Sequence, residues 1–259
     1  MGRMSSGMLV CAVMLLACAG CSVKEDRDVC PGRLMLDFSG VDTSVGSLDM
    51  LVTGPDGIIF RDMVAPSGFR EEYMREVPHG MLDVNVLSGA DGFVEEDSGL
   101  VIPLGCECPP VYKHSFVADT RGEIWRQRVD LRKSYCCLTV KLKGKDAMPY
   151  IISICGNVDG YALDGSPRKG EFRCEACPDD EGEITVRVPR QMDASMMLVV
   201  EGGNGIRKNF AVGEYIRASG YDWDSEDLSD VTVTLDYYIT GVTVLVQKWD
   251  EEFVFDLVL

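Results

Sequence analysis

Val231-Thr232-Val233-Thr234-Leu235 alternates apolar and polar residues without a break. Successive side chains of a strand point to opposite faces, so this run sets Val231, Val233 and Leu235 on one face and both threonines on the other. A helix would scatter the same residues around its axis. Working outward, the period recurs in Leu138–Leu142 (LTVKL), Ile184–Val188 (ITVRV) and Val242–Val246 (VTVLV). Farther upstream it recurs in Leu34–Phe38 (LMLDF) and Leu82–Val86 (LDVNV). Turn chemistry separates the runs at Gly54-Pro55-Asp56-Gly57, Pro66-Ser67-Gly68, Asp91-Gly92, Asp164-Gly165-Ser166-Pro167 and Gly202-Gly203-Asn204-Gly205. No stretch keeps a 3.6-residue period for three turns, and short helical pieces are expected only near Gly213–Arg217 and Glu226–Leu228. The chain reads as all-β, and many short strands with regular turns indicate sandwiches.

A boundary falls near residue 131. The strands upstream suffice for a first sandwich over residues 33–131, with Trp125–Leu131 (WRQRVDL) as its last strand. Ser134–Lys143 then opens a second sandwich within 132–259. No long linker marks the break, so the two are expected to pack end to end, and no internal sequence repeat is visible.

The N-terminus reads as an export signal over residues 1–20. Arg3 precedes the apolar run Met8–Cys18 (MLVCAVMLLAC), which is too short for a membrane-spanning helix and of the right length for the apolar region of a signal peptide. Ala19-Gly20 then leads directly into Cys21, whose thiol is expected to take a diacylglyceryl group before the signal is cut. Cys18, after Leu15-Leu16-Ala17, is a second candidate. Residues 21–32 would form a polar, lipidated tether, and two acyl chains suffice for stable anchoring.

Composition narrows the partners. A formal charge of −17 argues against nucleic acid or anionic lipid, both of which favour basic surfaces. Eleven cysteines are present. Eight lie beyond Cys21: Cys30, Cys106, Cys108, Cys136, Cys137, Cys155, Cys174 and Cys177. An exported chain meets oxidising surroundings, so disulfides are one reading. Free buried thiols are a second, and a zinc site from Cys106, Cys108, Cys174 and Cys177 is a third.

Enzymatic readings are poor. His79 and His114 lie in no zinc-protease or nucleophile-elbow context, and Gly202, Gly203 and Gly205 lack the strand-to-helix frame of a phosphate loop. No catalytic residue, cofactor, metal or small-molecule substrate is expected. The acidic loop Asp222-Trp223-Asp224-Ser225-Glu226-Asp227 lacks the glycine an EF-hand requires and reads as solvated. Trp125, Trp223, Trp249 and Tyr221 offer flat faces for a glycan-binding alternative, although in sandwiches such residues are more often core anchors.

Several blocks together carry a resemblance. Cys21-Ser22-Val23-Lys24-Glu25-Asp26-Arg27, Cys30-Pro31 and Leu34-Met35-Leu36-Asp37-Phe38 open the series. Val188-Pro189-Arg190-Gln191, Val212-Gly213-Glu214-Tyr215-Ile216, Gly220-Tyr221-Asp222-Trp223 and Leu228-Ser229-Asp230-Val231 follow, through to Trp249 and a final strand. In order and spacing they resemble the FimB-like fimbrial anchor family of type V pili, over nearly the whole mature chain. The resemblance implies two transthyretin-like Greek-key β-sandwich domains in tandem. It also implies a surface-exposed outer-membrane lipoprotein that holds the base of a fimbria, limits its length and contacts the shaft subunit. Lys24, Glu25 and Asp26 resemble the signal that sends lipoproteins to the outer leaflet. Phe253, Phe255, Leu257 and Leu259 share one face of the last strand, which either closes the second sandwich or is donated to a shaft subunit. Polymerising relatives lose their lipid by cleavage after an arginine in the first domain, and Arg61, Arg70 and Arg75 stand there. Cleavage at one of them would make the chain a shaft or tip subunit.

Overall fold

The computed structural model describes residues 30–70, 72–143, 151–202, 205, 207–236, 241–247 and 252–258. Cys21, Lys24, Glu25, Asp26, Trp249 and Leu259 lie outside them.

The alternation read from the sequence becomes two hydrophobic cores. In β1 (Gly32–Asp37) Leu34 and Leu36 are buried while Arg33 and Asp37 are exposed. They meet Leu48, Met50 and Val52 of β2 (Leu48–Gly54) and Leu82, Val84 and Val86 of β5 (Met81–Ser88). β3 (Gly57–Val64), β4 (Tyr73–Val77), β8 (Tyr112–Asp119) and β9 (Ile124–Arg128) complete this unit. Burying each such side chain contributes roughly 1.5–3 kcal/mol.

The second core is built from Leu138 and Val140 of β11 (Tyr135–Lys143), Ile152 and Ile154 of β12 (Ile151–Ala162), and Phe172 of β13 (Pro167–Ala176). Val186 of β14 (Glu183–Pro189), Leu198 of β15 (Met197–Glu201), Phe210 of β16 (Arg207–Phe210) and Val233 of β17 (Val231–Asp236) join them. The short helix α1 (Val212–Ala218) adds Val212 and Ile216, four residues apart on one face. It ends where Gly220 takes φ +73° and the Ser219 hydroxyl donates to the Ile216 carbonyl at 2.7 Å.

The pairing order reveals a duplication that the sequence hides. In the first unit β1 lies between antiparallel β4 and parallel β9, facing a sheet ordered β8-β5-β2-β3. In the second unit β11 lies between antiparallel β14 and parallel β17, facing β16-β15-β12-β13. Each unit is the same seven-strand sandwich with the same neighbours. Three additions break the symmetry. The hairpin of β18 (Gly241–Gln247) and β19 (Glu252–Val258) extends the second unit beyond β17. β10 (Arg132–Lys133) pairs with β8 where the chain passes between the units.

The third addition couples the two cores. After β5 the chain leaves the first unit as the hairpin β6 (Val94–Glu96) and β7 (Gly99–Val101), and β7 pairs with β12 of the second. Ile102, Cys108 and Val111 then pack in the second core before β8 returns to the first. Gly160 permits this crossing, because a Cβ there would stand 1.9 Å from the Leu100 carbonyl oxygen.

Helix is expected near Glu226–Leu228, yet that segment is an irregular bend. Arg190 takes its carbonyls, donating to Ser225 at 2.7 Å and to Trp223 and Glu226 as well. Those oxygens are therefore engaged by a guanidinium instead of by helical N–H groups.

Gly160→Ala tests the crossing. Overpacking against backbone costs roughly 1–3 kcal/mol, read as a lower urea midpoint, together with faster proteolysis between residues 94 and 101.

Candidate functional site

The surfaces on which a β-sandwich can act are its strand edges, clefts and exposed side chains. The C-terminal strand is placed first. β19 pairs antiparallel with β18, with Phe253 opposite Val246, Phe255 opposite Val244 and Leu257 opposite Val242. It is the outer strand of the five-stranded sheet β14-β11-β17-β18-β19. Phe253 packs half-buried against the second core, whereas Val254, on the other face, is 59% exposed.

The edge formed by β3 and β4 is clasped. Asp62 on β3 accepts hydrogen bonds from Tyr73 Oη at 2.8 Å and Arg75 Nη2 at 2.5 Å, both on β4 of the facing sheet. The Arg75 guanidinium, and after it the Tyr73 hydroxyl, hold the Asp62 carboxyl below the usual carboxylate range. Arg61, also on β3, pairs with Glu95 on β6. Arg70 follows a single 3₁₀ turn and is exposed. Two of the three arginines considered for cleavage therefore lie within strands and carry ion pairs. Between Arg33 and Arg61 the sequence holds no lysine or arginine.

Of the aromatic residues considered for sugar stacking, Trp125, Tyr221 and Trp223 are turned inward. Tyr221 and Trp223 pack edge to face at 4.8 Å, both nearly buried, and Tyr221 Oη donates to the Ser229 carbonyl at 2.6 Å. Trp125 packs half-buried against the first core. The acidic loop is answered by cations of this chain: Arg132 reaches Asp227 at 3.2 Å and also pairs with Asp130, while Lys133 reaches Asp230 at 2.5 Å. Among the described residues no three His, Cys, Asp or Glu side chains converge as a metal site.

All eight cysteines beyond Cys21 are free thiols. Cys108, Cys136 and Cys174 are buried, and Cys30, Cys106 and Cys177 are exposed. Burial pushes the Cys136 thiol up to about 12 and the Cys174 thiol up to about 11.

One feature has no signal in the sequence. A cleft of about 510 Å³ opens where the outer face of β2, β3 and β5 meets the β6–β7 arm. Leu51, Leu87, Phe93 and Leu100 line it, with Asp49 and Asp91. Burial, and next the Asp91 charge, raise the Asp49 carboxyl. Pairs so distant in sequence become neighbours only because the arm crosses between units.

No family model matches the chain, and no curated protein matches its sequence. Solved structures do match its fold, that of an all-β sandwich protein. The fimbrial anchor protein Mfa2 from Porphyromonas gingivalis superposes with a TM-score of 0.64 at 11% identity, over 86% of this chain and 99% of that one. A candidate polysaccharide-binding protein from Bacteroides thetaiotaomicron gives 0.60 at 13% identity, over 85% and 99%. A candidate adhesin from Bacteroides ovatus gives 0.58 at 13%, over 90% and 97%. At such identities the likeness establishes the fold alone. The sandwich fold implied by the resemblance to fimbrial anchors is the fold found.

The thiols give a direct test. In the folded, reduced protein at neutral pH, iodoacetamide should modify Cys30, Cys106 and Cys177 first, read by peptide mass spectrometry. A rise of about three units at Cys136 lowers its thiolate fraction roughly a thousandfold, so it should react only on unfolding. The clasp gives a second. A lowered carboxyl stabilises the fold above its unfolded pKa of about 3.9 and loses that effect as pH falls through the folded value. Asp62→Asn should therefore lower the Tm at neutral pH, and the difference from wild type should vanish in acid below the usual carboxylate range.

Proposed function

We propose that this protein is a lipid-anchored outer-membrane component that holds the base of a fimbria at the cell surface and limits its length. In this reading residues 1–20 are the export signal, Cys21 carries the lipid, and Lys24, Glu25 and Asp26 direct the chain to the outer leaflet. Residues 21–32 form the tether, and 33–131 and 132–259 form the two sandwich domains. The shaft subunit is the partner, held by β-strand pairing.

One observation carries the reading. A subunit that joins the shaft must leave its lipid behind and keep an intact sandwich. A cut at Arg61, Arg70 or Arg75 would separate β1 and β2 from the body, and with them Leu34, Leu36, Leu48, Met50 and Val52 of the first core. Losing a single such side chain costs roughly 2–5 kcal/mol, and a domain's whole stability is of order 5–15 kcal/mol. By itself the first unit would not survive that loss and would need strands supplied by a neighbouring subunit. An arginine cut that removes β1 alone has no site, since no basic residue lies between Arg33 and Arg61. A chain cut neither in its first domain nor after Arg27, the arginine of the tether, keeps its lipid and is suited to hold, not to polymerise.

The test is the intact mass of the membrane-extracted protein combined with protease shaving of whole cells. An acylated chain beginning at Cys21 and removed by shaving supports the anchor, and Cys21→Ala should then release fimbriae into the medium. A mature species without lipid that begins just after an arginine would identify a polymerising subunit and overturn the proposal.

A further inference from the structure

The duplication makes the two units a controlled comparison, and they differ at one edge. In the second unit the last strand, β17, is covered on its outer side by β18, which pairs with it antiparallel from Thr232–Gln247 to Asp236–Thr243. In the first unit the equivalent strand, β9, pairs with β1 on one side, and among the described residues no strand pairs with the other.

The direction of its backbone groups follows from the ladder. Arg33 N–H donates to the Glu123 carbonyl at 3.1 Å and Val129 N–H donates to the Asp37 carbonyl at 2.9 Å. Alternation in a parallel ladder then turns Trp125 and Gln127 toward β1, and the N–H groups of Ile124, Arg126 and Arg128 outward. The Arg128 carbonyl already accepts from the Gln127 side chain at 3.0 Å. The carbonyls of Ile124 and Arg126 complete an acceptor edge.

The other edges of the first unit are blunted. β3 pairs through a register shift and is tied to β4 by Asp62, while β10 covers the β8 side with two residues. β9 runs in unbroken register over five residues and holds no proline. An open, regular edge is a template for another strand.

Side chains state what that strand should carry. Ile124, Arg126 and Arg128 are exposed on the outer face, and Arg33 lies beside Ile124 on β1. Trp125 and Gln127 are half-buried on the core side. An added strand fits when acidic side chains lie beside the arginines and apolar ones cover the Trp125 flank.

We propose that the outer edge of β9 accepts an antiparallel strand of alternating apolar and acidic residues from a partner chain, as the edge of β17 accepts β18. This rests on the anchor reading only in naming the shaft as the natural donor.

The experiment is amide hydrogen exchange on the full lipidated chain in detergent, with a capped Val-Glu-Val-Glu-Val-Glu-Val peptide as probe. Exchange at Ile124, Arg126 and Arg128 should slow at least tenfold, and a Val-Lys peptide of the same length should leave it unchanged. Arg126→Pro should abolish the protection, whereas Arg126→Ala, which keeps the N–H, should retain part of it. The proposal is overturned if those three amides exchange unchanged at saturating peptide, if protection falls on β19 or β3 instead, or if both peptides protect equally. Should Arg126→Pro unfold, the two-peptide comparison on the unaltered chain decides. No fimbria enters this measurement, so its failure would leave the mass and shaving test of the anchor standing, and the converse also holds.

Discussion

Each half of this protein depends on one contact, the parallel pairing of its first strand with its last. β1 lies beside β9 with Leu34 opposite Trp125, and β11 lies beside β17 with Leu138 opposite Val231. A parallel pair cannot be made by a tight turn, so everything between the two strands must fold as the connection. That connection is the facing sheet. Once the ends are paired, the two layers are held at the spacing their side chains fill, and the core closes. Such distant contacts are reached at a large cost in loop entropy and are returned only when the whole unit is in place.

The same constraint explains why β1 is central to the functional reading. It is the middle strand of its sheet, between β4 and β9, and it brings Leu34 and Leu36 to the core. A strand in that position cannot be lost without opening a groove the length of the sandwich. Between Arg33 and Arg61, where a cut removing β1 alone would fall, the sequence holds no basic residue. The second unit has its own last strand covered by the terminal hairpin. Among the described residues, what remains regular and unpaired in the first unit is the far side of β9.

The crossing arm gives the two units a common interior surface. Tyr161, on β12, is buried and donates to the Ser134 carbonyl at 2.7 Å, while Asn85, on β5, donates to the Leu163 carbonyl at 2.8 Å. Polar groups buried at such a junction stabilise it only when paired. Around this junction cations answer the acidic chain: Arg132 pairs with Asp130 and Asp227, Lys133 with Asp230, and Arg190, just after β14, donates to the carbonyls of Trp223, Ser225 and Glu226.

Much of the fold was legible in the sequence, because period-2 alternation is a local property. Leu34–Phe38, Leu82–Val86, Leu138–Leu142, Ile184–Val188, Val231–Leu235 and Val242–Val246 all fall in or against strands, and the glycine- and proline-rich turns lie between them. The helix near Gly213–Arg217 was legible too, whereas the one near Glu226–Leu228 was not formed, since Arg190 reaches its carbonyls from far along the chain. The proposed lipid cysteine and export signal rest on the chemistry of adjacent residues alone. The candidate site was not. Alternation says that a strand has two faces, but it does not say which strand lies beside which. That choice rests on hydrogen bonds between residues tens of positions apart. The duplication, the arm that crosses from one core to the other, and the edge of β9 that no described strand pairs therefore belong to the tertiary structure alone.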